Sequence, residues 1–397
     1  MTPRLALFLL LGIDAAILLF EASSLSLTFH GARLLYDYEP SVMTRIIQGS
    51  IALFGQNDVA LRLPMIVMNL VSALLLYNVA KPYGRHARER VWLVAVFLLL
   101  PGVISSSLLV DEAALVTLGL FLYLFLEQRF GRRADLLLPL LAVMDVAFAL
   151  LFMGLAVQAY REQRHRYVGA YLLLTVLTVW VLGFNTGGLP QNQFLDMMGL
   201  YAAVFSPVVF VYLVYVLYRR YVTGQADLLC SIAATALVLS LLLSFRQRIE
   251  IEQFAPFLMA ALPLGMQTFY HSYRVRLRPF RKRYRLLFTL ATALLVINAG
   301  AVFFNKAAYL FLDEPSRYFA YRAHVAKELA DALKARGITC ATFPHNRSMQ
   351  LRVRFYGVEE CEGTVIRSER LADPKSVTIR YYNVPVAVFS VTNIPKN

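Results

Sequence analysis

Charge is scarce in this chain. Only 16% of the 397 residues are charged, and acids are the rarer kind, 25 Asp and Glu against 39 Lys and Arg. With 58% hydrophobic residues and a mean hydropathy of +0.57, the chain is too apolar for a water-soluble protein of its length and reads as a polytopic, helical membrane protein. Cysteine is scarce too, three in all, which sets no disulfide framework. Cys230 lies in an apolar stretch, while Cys340 and Cys361 share a polar C-terminal region and can pair if it is extracytoplasmic. There is no P-loop, no GxGxxG after a strand, no HExxH and no paired CxxC, which removes support for soluble-nucleotide and zinc-hydrolase chemistry. The six histidines are scattered, no internal repeat stands out, and no cleavage pattern follows the first apolar stretch, which is expected to stay as a helix.

Apolar runs able to cross about 30 Å of hydrocarbon occur near 4–20, 63–80, 91–110, 113–127, 167–184, 198–218, 227–245, 254–272 and 286–305. The net charge of +14 sits mostly in short basic runs between them: Lys81 to Arg90, Arg129 to Arg133, Arg161 to Arg166, Arg219 with Arg220, and Arg274 to Arg285. The positive-inside rule explains those runs without nucleic acid. It places the N-terminus in the cytoplasm of a multi-pass inner (plasma) membrane protein, with the first loop, the turn at Asp111 and the C-terminus outside. Residues 134–160 lie between two basic runs, so the expectation is a re-entrant pair of half-crossings turning near Asp145, giving about eleven helical segments.

The first outer loop, 21–63, is expected to carry a helix over 41–54 that lies in the interface. Val42, Ile46, Ile47, Ile51 and Phe54 recur at helical spacing, with Pro40 before and Gly55 after as start and stop signals. The expected division is a transmembrane domain over 1–305 and a small extracytoplasmic α/β domain over 306–397. In the latter, Val325, Leu329 and Leu333 mark a helix ended by Gly337, ITCATF reads as a strand, and SVTIRYY with VAVFSV reads as a hairpin turning around Asn383, Val384 and Pro385.

Ionisable groups beside apolar segments are expensive and need a reason. Glu21, Asp37 and Asp111, with Glu39 and Glu112 as secondary candidates, all fall at one membrane face in this topology. Carboxylates in a partly dry site can act as general bases. Arg246, Arg248 and Arg62 stand at the same face against the positive-inside trend, which suits an anionic partner such as a lipid phosphate.

Phe20-Glu21, Asp37-Tyr38-Glu39-Pro40, LFGQNDVALRLP (53–64) and LLVDEAALVTLGLFLYLFL with Asp111 together resemble the GT-C membrane glycosyltransferases. The likeness is to the bacterial branch of the dolichyl-phosphate-mannose protein mannosyltransferase family, which includes the aminoarabinose transferase of lipid A. It covers roughly 5–127. The sequence departs from that pattern at Phe20, where the family has an acid, and at Glu39, where it has a basic residue. Asp37 stands one residue before the family's acid position, and no lysine lies near Asp145. The resemblance implies transfer of a sugar, with inversion, from a polyprenyl-phosphate-linked donor to a lipid, glycan or protein acceptor at the outer face. It implies no nucleotide and leaves a divalent metal open. A catalytically inactive relative that binds lipid-linked sugar or scaffolds envelope polysaccharide assembly is the alternative. A transporter or flippase using Asp14 and Asp145 is disfavoured by the lack of two similar halves.

Overall fold

The computed structural model describes residues 2–37, 41–183, 193–247, 249–311, 315, 318–344, 346–361, 363–369 and 376–393. The chain is mostly helical. In order it forms α1 (Pro3–Ser24), α2 (Phe29–Tyr36), α3 (Val42–Phe54), α4 (Asp58–Val79), α5 (Ala87–Leu98), α6 (Pro101–Leu108), α7 (Ala113–Phe130), α8 (Leu138–Met144) and α9 (Phe148–Arg161). These are followed by α10 (His165–Leu182), α11 (Phe194–Phe205), α12 (Pro207–Val222), α13 (Leu228–Ser244), α14 (Ile251–Leu258), α15 (Leu262–Val275), α16 (Arg278–Phe303), α17 (Ala326–Ala335) and α18 (Arg347–Phe355). Three strands close the chain, β1 (Thr364–Glu369), β2 (Val377–Tyr381) and β3 (Val384–Asn393). Among the described residues five helical stretches are long and apolar enough to cross a membrane, or up to seven if α5–α6 and α11–α12, bent by 60° and 106°, each count as one span.

The chain divides into two compact units. The first comprises Met1–Ala16, Met65–Ser107 and Glu112–Ala299; the second comprises Ile17–Pro64, Leu108–Asp111 and Gly300–Asn397. This differs from a boundary at 305, because the first loop and the turn before Glu112 group with the C-terminal residues.

In the first unit α9 packs on α10 and α13 around a core that includes Phe121, Phe148, Phe152 and Phe257. Small residues let such helices approach, since dispersion between close backbones is what holds apolar helices together in lipid. A Cβ at Gly154 on α9 would stand 2.7 Å from Ile232 Cα on α13. The α8–α9 turn falls at Asp145 as expected; the Asp145 carboxylate accepts the Ala147 N–H at 2.7 Å and so satisfies one donor at the tip. Between α11 and α12 the break is at Ser206, whose φ is +66° and whose hydroxyl accepts from Asn298 Nδ2 at 2.9 Å.

The second unit holds the end of α1, α2, α3 and the start of α4. Pro64 inside α4 has no N–H for the carbonyl of Ala60. Ser50 Oγ on α3 donates to that carbonyl at 2.6 Å, so the defect in one helix becomes the attachment point of the other. α3 ends at Gly55 as expected, while its start is capped by the Ser41 hydroxyl, which accepts from Thr44 N; Pro40 lies outside the described residues. The face α3 buries differs from the expected stripe: Met43, Thr44, Ile47 and Ser50 are buried, and Phe54 is 61% exposed beside Leu53 at 81%. Thr44 and Ser50 face inward because each hydroxyl has a carbonyl to satisfy, Leu34 O and Ala60 O.

The C-terminal part of this unit is a sheet of order β1-β3-β2, antiparallel throughout, packed with α17 and α18. The β2–β3 hairpin turns at Tyr382 and Asn383, both with positive φ, one residue earlier than expected. The ITCATF stretch is two isolated parallel bridges, Cys340 to Glu359 and Thr342 to Val365, rather than a full strand. Cys340 and Cys361 are joined in a disulfide with Cα atoms 5.5 Å apart.

Gly154→Ala should destabilise the first unit by roughly 1–3 kcal/mol through overpacking against a backbone that cannot rotate away. Gly169→Ala, where a Cβ meets nothing within 4 Å, should not. Melting of the two purified variants in detergent compares them; equal melting temperatures would show that the α9–α13 contact is loose.

Candidate functional site

Three of the expected acids and Arg62 belong to the second unit. Glu21 and Asp111 are each 8% exposed, and Arg62 is 1% exposed. Glu112 and Arg246 belong to the first unit. Glu39 and Arg248 lie outside the described residues.

Arg62 is the most enclosed of these groups. Its Nε donates to Leu108 O at 2.7 Å, one terminal nitrogen donates to Ala22 O, Asp58 O and Asp58 Oδ1 at 3.1–3.3 Å, and the other donates to Ser26 O at 2.9 Å. Every nitrogen of the guanidinium is engaged by a protein oxygen, so the expected lipid-phosphate role of Arg62 is corrected. It pins together the end of α1, which carries Glu21, the start of α4, and the turn that carries Asp111. A second contact joins the helix of Asp37 to the same turn: a Cβ at Gly31 on α2 would meet Val110 Cβ at 2.7 Å, so only glycine lets α2 lie against it. Asp37 lies six residues further on, about 9 Å along a helix axis, and its carboxylate pairs with Arg347 at 2.9 Å. The backbones that bear Glu21, Asp37 and Asp111 are thus gathered in one body, and Asp37 is held from the C-terminal side.

Sequence reasoning missed most of what surrounds them. Asp58, 5% exposed, accepts from Tyr356 Oη at 2.6 Å and Lys327 Nζ at 2.7 Å as well as Arg62. Lys306 donates to Ser24 O at 2.7 Å and lies 3.5 Å from Glu328, whose other oxygen accepts from Ser26 Oγ. Arg352, buried on α18, donates to Leu27 O at 2.7 Å and to His324 O. Glu21 has Ser24, Lys306, Asn305 and Arg62 as its polar neighbours. Arg62, Lys306, Lys327 and Arg352 outnumber Asp58 and Glu328 here, and burial pushes the Glu21 carboxyl above its usual range against the pull of Ser24, Lys306, Asn305 and Arg62. Lys306 comes directly after the last apolar run, and a cation placed there at the expected outer face was the one local signal of this network.

His324 has no exposed surface. Its Nδ1 meets Tyr309 Oη at 2.9 Å, its Nε2 has no partner among the described residues, and Tyr381 stands edge-on to its ring. Burial, reinforced by the Lys306 and Arg352 charges, pushes the imidazole down to about 3. In the first unit Glu112 is raised by burial, with Glu250 and Glu252 adding to the effect. No ion pair joins Arg246 to Glu250 or Glu252 among the described residues.

No protein-family model and no curated protein matches the sequence. Nor is there, among the described residues, a group of three or more His, Cys, Asp or Glu side chains placed to hold a metal ion.

Two measurements follow from this geometry. Arg62→Met should cost about 3–5 kcal/mol, the usual result of removing one partner of a buried pair, and Arg62→Lys should not rescue it because an ammonium cannot span Leu108 O and Ser26 O together. A variant that melts like the parent yet binds donor weakly would restore the phosphate role. His324 sets a pH window. Below about 6.5 an unfolded imidazole takes up a proton that the folded site refuses until about 3. Stability contributed by His324 is therefore full above 6.5 and lost as pH falls, by up to ~1.4 kcal/mol per pH unit. His324→Gln should flatten the fall in melting temperature between pH 6 and 4, and an unchanged slope would place the acid sensitivity elsewhere.

Proposed function

We propose that the chain is a multi-pass membrane glycosyltransferase of the GT-C kind, transferring a sugar from a polyprenyl-phosphate-linked donor to a lipid, glycan or protein acceptor at the outer face. The observation that carries this reading is the gathering of Glu21, Asp37 and Asp111 in one compact unit by Arg62 and by the Gly31–Val110 contact. The apolar helices support insertion in an inner or plasma membrane, and all the basic runs of the interhelical loops fall in the first unit, which supports a cytoplasmic side for them. The exposed Leu53 and Phe54 at the end of α3 suit a helix lying in the interface.

In the proposed reaction the acceptor hydroxyl attacks the anomeric carbon from the face opposite the phosphate. The new C–O bond forms as the bond to the phosphate oxygen breaks, the electron pair leaves with polyprenyl phosphate, and a carboxylate takes the hydroxyl proton. Glu21 is tied into the ion network of Asp58 and Lys306, so Asp111 and Asp37 are the favoured bases, with Arg347 positioning Asp37. The growing charge of the departing phosphate calls for a cation beside it; Arg246 belongs to the other compact unit and is not assigned that place.

The inactive-relative reading keeps one specific support. Asp37 is held in an ion pair with Arg347, which already occupies one of its carboxylate oxygens.

Turnover of polyprenyl-phosphate hexose and aminoarabinose donors by the purified chain in nanodiscs separates the two. Asp37→Asn and Asp111→Asn should remain folded and lose about 10²–10⁴-fold in rate, far more than Glu112→Gln. Full activity in both Asp variants would reject the site. A parent chain that binds donor without turning it over would establish the inactive relative.

A further inference from the structure

The proposed site makes no use of the basic runs at 81–90 and 274–285, which together hold one acid, Glu89. Both runs belong to the first unit, and a cavity of about 520 Å³ opens there, lined by His86, Arg88, Glu89, Trp92 and Tyr270 along with Pro3 and Ala87. That volume lies within the range of small-ligand sites. Glu89 does not make the cavity acidic. Its carboxylate pairs with Arg274 and accepts the backbone N–H of Arg85 at 3.0 Å, so its charge is already compensated and the free N–H groups at the start of α5 are partly taken. Arg88, exposed and without an ion pair among the described residues, gives the lining its net positive charge.

The lining also has an apolar part. Trp92 is 51% exposed at the cavity and meets Phe288 of α16 edge-on, with ring centres 6.3 Å apart. The second basic run itself carries uncovered aliphatic residues, Val275 and Leu277 between its arginines and Leu286 and Leu287 just after it. A site for a water-borne anion gains nothing from an exposed indole. A cation and an exposed indole in one lining match a ligand with an anionic head and an apolar tail.

We propose that this cavity holds the phosphate headgroup of an anionic phospholipid of the leaflet facing the basic loops, with Arg88 as its principal charged contact. The inference rests on the membrane reading above and is independent of glycosyl transfer.

Native mass spectrometry of the full chain released from nanodiscs of mixed phosphatidylglycerol and phosphatidylcholine tests it. The parent chain should retain phosphatidylglycerol selectively. Arg88→Glu should weaken retention by about 25-fold, given about fivefold for each unit of charge at a lipid surface. Arg88→Lys should retain the lipid, and Arg133→Glu, which reverses an exposed charge in a different basic run, should match the parent. Glycerol phosphate added in solution should not displace it. Equal retention by Arg88→Glu overturns the site, and equal loss in Arg133→Glu overturns it in favour of diffuse attraction. Displacement by glycerol phosphate would make it a soluble-anion site and reject the lipid. A chain that does not reconstitute at all rejects the membrane reading and the site with it.

Discussion

A single buried guanidinium sets the terms for the second unit. Placing a charge where 1% of its surface meets solvent is costly unless each polar atom finds a partner. Arg62 meets that condition by drawing on Leu108, Ala22, Asp58 and Ser26, backbone segments that sequence alone would scatter over nearly ninety positions. The planar fork reaches acceptors in several directions at once, which an ammonium on a flexible stem does not. The acids around it inherit their places from this one group: Glu21 precedes Ala22, and Asp111 follows Leu108 by three residues.

The carboxylates then divide by how they are held. Asp58 is saturated by two cations and a phenol, which makes it a structural ion. Glu21 lies beside the same network, next to Lys306 and Arg62. Among the described residues the Asp37 carboxylate pairs with Arg347, whose side chain is largely in solvent, so their pairing is screened and easily exchanged.

Much of the helical architecture was legible because apolar runs of membrane length report themselves locally. The break at Asp145 followed from the basic runs on either side of it, and the end of α3 at Gly55 and the β2–β3 hairpin from residue types with strong backbone preferences. The pairing of Cys340 with Cys361 was open to the sequence as a conditional and is formed. The division of the chain was not legible, since it depends on contacts such as Tyr356 to Asp58, 298 residues apart. The role of Arg62 was misread for a related reason: an arginine near a membrane surface looks the same whether its donors face a ligand or a carbonyl. α18 escaped notice because its apolar positions are interrupted by Arg352 and Arg354, and Arg352 is buried against backbone oxygens rather than turned to solvent.

The separation between Asp58 and Tyr356 also has a temporal meaning. A ribosome adding about 5–20 residues per second needs on the order of tens of seconds to pass from one to the other. Throughout that interval the carboxylate of Asp58 and the main-chain oxygens of Ser24 and Leu27 lack the partners that Lys327, Tyr356, Lys306 and Arg352 later supply. The loop that carries Asp37 and Asp58 is therefore made well before the residues that finish it, and its polar groups acquire their full set of partners only when those distant residues arrive.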